Sequence, residues 1–284
     1  MRFALLLFMA FEMIAGPKIL VHGHRGARAV RPENTLPAFE YALAQGVDAL
    51  EMDLAVTKDN VLVVSHDPAM NPRICTGPAN SPQVIREMTL AQLKQWDCGA
   101  KQNPDFPRQT AIAGTKVPTF DEVLELAKPT QVELNVETKI FLARPELTPT
   151  PEAFARMVIE AVKKQGMESR LILQSFDWRT LEAAKRIGPG IRLSALYSST
   201  LNDGAVLKDY VGDANAAGYP IVSPIHRLIS KADVDRAHSF GMKVVPWTAN
   251  DAAAWDKLIE VGVDAIITDD PAALIAHLKA KGLR

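Results

Sequence analysis

The stretch Gly46-Val47-Asp48-Ala49-Leu50-Glu51-Met52-Asp53-Leu54 decides how the chain reads. Gly46 sits where a helix C-terminal cap is wanted, and side chains alternate along the strand that follows. Leu50, Met52 and Leu54 therefore share one face, and Glu51 and Asp53 the other. The apolar face meets helices, which turns both carboxylates toward the inside of a barrel. The same junction is echoed as Gly262-Val263-Asp264-Ala265 near the far end of the chain.

Outward from that stretch, short runs rich in Val, Ile and Leu alternate with amphipathic segments, the pattern of βα units around a parallel sheet. Eight runs are counted: Ile19-His24, Asp48-Asp53, Val132-Glu137, Leu171-Ser175, Ile191-Leu196, Pro220-Ser223, Lys243-Trp247 and Ala265-Thr268. Helical segments follow at Asn34-Ala44, Phe120-Ala127, Pro151-Lys164, Trp178-Ile187, Asp203-Ala217, Lys231-Phe240, Asp251-Val261 and Ala272-Lys281. Eight pairs predict an α/β fold of the closed (β/α)8 type, a TIM barrel, for which about 250 residues are typical. The main rival is a doubly wound open sheet. In its dinucleotide-binding form it requires a G-x-G-x-x-G after the first strand, and none is present.

A ninth apolar run, Val61-Ser65, follows the second strand after only Thr57-Lys58-Asp59-Asn60, too few residues for a parallel crossover. It must return antiparallel as a β-hairpin arm, which brings His66 and Asp67 back toward the end of the second strand. Residues 68–118 then run through Asn71-Pro72, Gly77-Pro78 and Asn103-Pro104, with one short helix expected at Leu90-Trp96. This segment reads as an insertion on the barrel mouth, with too few apolar residues for a core of its own.

The 284 residues are 48% hydrophobic and 23% charged, an ordinary globular composition that excludes disorder, collagen and a membrane bundle. Lys plus Arg number 32 against 33 Asp plus Glu, a formal net charge of −1. That balance gives no global electrostatic case for nucleic acid or an anionic membrane as partner. Arg2 and the run Phe3 to Phe11 resemble the start of a secretory signal, too short to span a bilayer. Residues 1–16 are therefore read as an apolar leader with a cleavage candidate at Ile14-Ala15-Gly16, and 17–284 as a single barrel domain. Met13 as the working start is the rival, and the reading slightly favours export over the cytosol. Cys75 and Cys98 have no zinc-ligand spacing. In an exported protein a bridge between them would close a loop of roughly 24 residues, worth about 3 kcal/mol.

Barrel enzymes carry their chemistry at the C-terminal ends of strands, and here those ends are His22-Gly23-His24-Arg25, Glu51-Met52-Asp53, Glu137-Thr138-Lys139, Gln174-Ser175, Trp247-Thr248 and Thr268-Asp269. Glu137 shares a face with Asn135, opposite Val132, Leu134 and Val136. Three inward acids at one mouth, Glu51, Asp53 and Glu137, resist ionisation together unless a cation neutralises them, and oxygen-only ligands favour Mg²⁺ or Ca²⁺. A single acidic pair in a strand is more often a solvated edge, and His22 reads as barrel filling. His24 and His66 converging with three acids on one mouth shift the balance to catalysis.

These residues resemble the glycerophosphodiester phosphodiesterases. The resemblance runs through His24-Arg25-Gly26, Pro32-Glu33-Asn34-Thr35, Glu51-Met52-Asp53, His66-Asp67, Glu137-Thr138-Lys139, Ser175-Phe176, Trp247-Thr248-Ala249-Asn250 and Thr268-Asp269-Asp270-Pro271, from residue 18 to the C-terminus. It implies metal-dependent hydrolysis of a small glycerophosphodiester to sn-glycerol 3-phosphate and an alcohol. Glu51, Asp53 and Glu137 would hold one divalent cation, Ca²⁺ or Mg²⁺. His24 and His66 would be general acid and base, Arg25 would clamp the phosphate, and Lys139 would lie near it. Thr138 departs from the aliphatic residue usual between Glu and Lys, on the face away from Glu137.

The chemistry fits these roles, because a phosphodiester anion repels nucleophiles and an alkoxide leaves poorly at neutral pH. In the family the glycerol 2-hydroxyl attacks first, giving a cyclic phosphate that water opens. Phe176 and Trp247 are expected to wall the glycerol side, with the alcohol side facing the insertion, so small soluble diesters are the expected substrates and no stable membrane insertion is expected. Two alternatives are a lyase of the sphingomyelinase D type, which shares the barrel and paired histidines, and a non-catalytic phosphodiester-binding protein.

Overall fold

In a computed structural model, which describes residues 18–198 and 209–284, the elements alternate as the apolar runs predict. They are β1 (Leu20–Gly23), α1 (Leu36–Gln45), β2 (Ala49–Val56), β3 (Leu62–Val64), α2 (Leu90–Leu93), α3 (Phe120–Ala127), β4 (Glu133–Thr138), α4 (Pro151–Gln165) and β5 (Leu171–Ser175). The second half continues with α5 (Trp178–Ile187), β6 (Arg192–Tyr197), α6 (Tyr210–Ala216), β7 (Ile221–Pro224), α7 (Lys231–Ser239), β8 (Lys243–Val244), α8 (Ala252–Val261), β9 (Ala265–Thr268) and α9 (Pro271–Ala280). The expected leader at 1–16 and the start of the helix expected at Asp203-Ala217 lie outside the described residues.

Eight parallel strands pair in the order β8-β7-β6-β5-β4-β2-β1-β9, with β3 antiparallel on β2. The ring is drawn shut where the Asp264 and Ile267 N–H groups donate to the carbonyls of Val244 and Pro246, both at 3.0 Å. This is a TIM barrel. Strand β8 is shorter than the predicted Lys243-Trp247 because Pro246 has no N–H to give the ladder. Pairing resumes at Trp247, which bridges Ile225 and donates to the Pro224 carbonyl at 3.1 Å.

Local chemistry sets the helix ends. Thr119 and Glu122 form a reciprocal capping box on α3, Pro151 occupies the first turn of α4, and Gly46, Gly166 and Gly262 end α1, α4 and α8 in the left-handed conformation. The strands' outward side chains, Leu50, Met52, Leu54, Leu134 and Val136, pack against Phe39, Phe120, Phe154 and Leu124 of the helices, all fully buried. Each such side chain contributes about 1.5–3 kcal/mol on leaving water. Inside the ring, Ile172, Ile221, Val245, Ala265 and Ile267 form a separate apolar layer. His22 is buried with Asn135 Nδ2 3.3 Å from its Nδ1, and burial lowers its pKa to about 4, so it fills the barrel as a neutral group.

Residues of the 68–118 segment assemble an apolar cluster that includes Met70, Ile85, Met88, Leu93 and Trp96, together with Ala55 and Val63 of the hairpin. The insertion thus has more core than composition predicts, because β2 and β3 lend it one wall. Within the cluster Cys75 and Cys98 are bridged, with S–S 2.06 Å. Among the described residues no helix is long and apolar enough to cross a membrane.

Candidate active site

At the mouth, β2 and β4 lie side by side with Glu51 opposite Asn135 and Asp53 opposite Glu137. The alternation that buries Leu50 and Met52 outward puts all three carboxylates inward, and their nearest oxygens lie within 4.8 Å of one another. The β1–α1 turn is shaped to serve them. Arg25 is left-handed at φ 49°, a conformation costing about 1–2 kcal/mol for a residue with a Cβ, and this aims its N–H at Glu51 Oε2, 2.8 Å away. Gly26 follows at φ 82°, where a Cβ would meet the Ala38 backbone at 2.7 Å. Asn34, also left-handed, donates from Nδ2 to Asp53 Oδ2 at 3.0 Å.

Burial, reinforced by the neighbouring Asp53, pushes the Glu51 carboxyl well above its usual range. Burial also raises Glu137, with Asp53 adding to it and Lys139 opposing. Burial works against the Asp53 carboxylate too, but Lys139 and Arg25 outweigh it and hold its pKa well down. Lys139 Nζ lies 2.8 Å from Glu137 and 3.4 Å from Asp53, and Arg25 Nε lies 3.2 Å from Asp53. Burial works against both cations, and these acids more than offset it. A buried, oxygen-only triad with two acids resisting ionisation fits one hard divalent cation. Gln174 supports that fit: its Nε2 donates to Glu51 Oε1 at 2.9 Å, while its buried Oε1 has no hydrogen-bond partner among the described residues.

His24 lies at the end of β1, and its Nδ1 is 2.5 Å from Asp269 Oδ1 just beyond β9. Burial lowers His24 to about 4 despite the pull of Asp269, and although burial opposes it, the Asp269 carboxyl is drawn down to about 2 by His24 and Arg28. The neutral imidazole therefore donates from Nδ1 to an ionised carboxylate, leaving the Nε2 lone pair on the side of Glu51, 3.9 Å away. Asp269 is itself fixed by Arg28 Nε at 2.7 Å and Asn250 Nδ2 at 2.7 Å. His66, carried back by the hairpin, pairs through Nδ1 with Asp67 Oδ1 at 2.8 Å and is about a third exposed at the rim.

A cavity of about 150 Å³ joins these groups. Its lining includes all nine residues singled out from sequence: His24, Arg25, Glu51, Asp53, His66, Glu137, Lys139, Phe176 and Trp247. Phe176 and Trp247 meet edge to face, ring centroids 5.4 Å apart, and Trp247 Nε1 donates to the Ser223 carbonyl at 2.9 Å. Sequence reasoning quoted Asp269, Asn250, Asn34 and Gln174 within its strand ends and motifs but gave them no part in the site, and it missed Arg28 altogether. The available signal was Asp269 directly after the last strand, which a closed barrel sets beside the first.

Charged and basic side chains gathered at the C-terminal ends of barrel strands define an enzyme of the TIM-barrel class. A sequence model of the glycerophosphoryl diester phosphodiesterase family matches residues 24–273. A glycerophosphodiester phosphodiesterase of Caldanaerobacter subterraneus subsp. tengcongensis is 32% identical over 265 residues, 93% of this chain and 99% of that protein. Another from Bacillus subtilis is 28% identical over 92% of this chain and 86% of its own length. Among solved structures, a Silicibacter pomeroyi protein carrying the same family name provisionally is 29% identical with a TM-score of 0.86, covering 94% and 96% of the two chains. An Oleispira antarctica phosphodiesterase, solved with the product sn-glycerol-3-phosphate, shares the fold at 24% identity and a TM-score of 0.77 over 92% and 97%. The chain belongs to the glycerophosphoryl diester phosphodiesterase family, and its activity is that of a glycerophosphodiester phosphodiesterase.

Proposed function

We propose that the protein splits small, soluble glycerophosphodiesters into sn-glycerol 3-phosphate and an alcohol, with one divalent cation, Ca²⁺ or Mg²⁺, and with His24 and His66 as the acid-base pair. The observation that carries this reading is one cavity shared by the buried triad Glu51, Asp53 and Glu137, both histidines, and Arg25 and Lys139. A cation held by Glu51, Asp53 and Glu137 would supply positive charge to the phosphoryl oxygens. Arg25 and Lys139 orient the phosphate from the same side.

Asp269 holds the His24 Nδ1 proton, so Nε2 is the atom that exchanges a proton with substrate; Asp67 does the same for His66. One imidazole takes the proton of the glycerol 2-hydroxyl as its oxygen attacks phosphorus, and the other protonates the departing alcohol. The two then exchange roles as water opens the cyclic phosphate. Phe176 and Trp247 shield the glycerol side from water. The Cys75–Cys98 bridge supports export to an oxidising compartment, where such a bond persists.

The test is release of sn-glycerol 3-phosphate from glycerophosphocholine before and after EDTA, with Ca²⁺ or Mg²⁺ restored. Loss and recovery of turnover is the expected result. Full turnover in EDTA would refute the metal, and a cyclic phosphate as sole end product would point instead to the lyase.

A further inference from the structure

We infer that Arg28 is a specificity residue on the alcohol side of the cavity and selects glycerophosphodiesters whose alcohol carries an anionic group. The inference rests on the hydrolase reading above and deepens it. Phe176 follows β5 and Trp247 follows β8, and their rings meet over the strands between them. Arg28 belongs to the β1–α1 loop, across the mouth from that apolar wall, and lines the same cavity. A diester whose glycerol lies against the rings directs its alcohol toward Arg28.

The side chain is held in place from two sides. Its Nε donates to Asp269 Oδ1 at 2.7 Å, and its guanidinium carbon stacks 4.7 Å from the ring centroid of Phe106, which belongs to the insertion. The insertion is in turn clamped to this loop, because buried Gln109 donates from Nε2 to the carbonyls of Arg28 and Arg31 at 2.8 and 3.0 Å. Stacking and a single Nε bond leave the terminal nitrogens of the fork without a hydrogen-bond partner among the described residues, with Glu33 Oε2 3.9 Å from Nη1. A guanidinium with two free parallel donors matches a carboxylate or phosphate bidentately. The two other cations of the cavity are drawn onto the metal-binding acids, Arg25 toward Asp53 and Lys139 toward Glu137 and Asp53. Arg28 is thus the cation placed to read the rest of the substrate.

Glycerophosphoserine and glycerophosphoethanolamine differ by one carboxylate and isolate this contact. With metal-loaded enzyme, the ratio of their kcat/KM values is expected to favour the serine diester. It should fall about 10- to 100-fold in Arg28→Ala, the range of a lost charge-assisted hydrogen bond. Arg28→Lys should retain part of the preference, and Phe106→Ala, which loosens the fork, should lower it. Because Arg28 also touches Asp269, its loss will slow both substrates, but a role confined to positioning leaves their ratio unchanged. An unchanged ratio in Arg28→Ala, with both diesters still hydrolysed, overturns this inference and leaves the hydrolase reading intact. No turnover of either diester by the wild type overturns both.

Discussion

Replacing Asp269 with Asn tests whether His24 works through its Nε2 atom. The carboxylate faces three donors, His24 Nδ1 and Arg28 Nε on Oδ1 and Asn250 Nδ2 on Oδ2, at 2.5, 2.7 and 2.7 Å. An amide has one oxygen for them. With that oxygen toward His24 and Arg28, its NH₂ confronts the Asn250 NH₂. Asn250 is not free to turn, because its Oδ1 accepts the Asp269 backbone N–H at 2.9 Å. With the NH₂ toward His24 instead, it confronts Arg28 and obliges Nδ1 to accept, which moves the imidazole proton to Nε2. The first arrangement loses a charge-assisted bond of about 1.5–3 kcal/mol, roughly 10- to 100-fold in kcat. The second inverts the tautomer and costs up to about 10⁴-fold, as at the orienting carboxylate of a catalytic triad. Turnover of glycerophosphocholine at saturating metal, with KM measured separately and folding checked by thermal melting, should show the loss mainly in kcat. A folded variant with kcat within about threefold of wild type would refute the orienting role.

Four further outcomes are expected. Glu51→Gln should lower divalent-metal affinity at least about 10-fold by calorimetric titration without lowering the melting temperature, since it removes one buried ligand; unchanged affinity and stoichiometry would count against the triad. His66→Ala should lower kcat roughly 10²- to 10⁴-fold on glycerophosphocholine, and near wild-type turnover would make it a structural group. The double change Cys75→Ser with Cys98→Ser opens a loop whose ends are 23 residues apart and should lower unfolding stability by about 3 kcal/mol in denaturant titration, with an unchanged midpoint as the contrary result. Burial opposes the Asp48 carboxylate, but Arg284, Lys18 and the Val21 N–H hold its pKa below the ordinary 3.8. Its stabilisation is therefore complete above pH 3.8 and fades as pH falls through the lower folded value, so Asp48→Asn should be less stable than wild type at pH 7 and converge with it in acid.

Period-two alternation made the barrel and its acids legible, because one strand face must be apolar wherever helices cover it. Leu50 and Met52 fixed the inward turn of Glu51 and Asp53, and the short Thr57-Asn60 connection fixed the return of His66. Other features had no local signal. Pro246 shortens β8 through a missing donor that matters only once its neighbours are known. The insertion's cluster depends on Ala55 and Val63, which belong to the hairpin. Arg28 reads as an ordinary loop arginine until Phe106 is folded over it from a segment nearly 80 residues away. Asp269 ends a strand like many acids, and only ring closure brings it to a histidine 245 residues earlier.

That pairing straddles the seam where β1 and β9 join. A chain emerging from the ribosome already carries the acidic triad and both histidines before half its length is made. The carboxylate that orients His24 arrives among the last residues made. If Asp269 orients His24 as proposed, hydrolysis reports a finished ring, and fraying that lifts β9 from β1 is expected to slow the enzyme while most of the barrel is still folded.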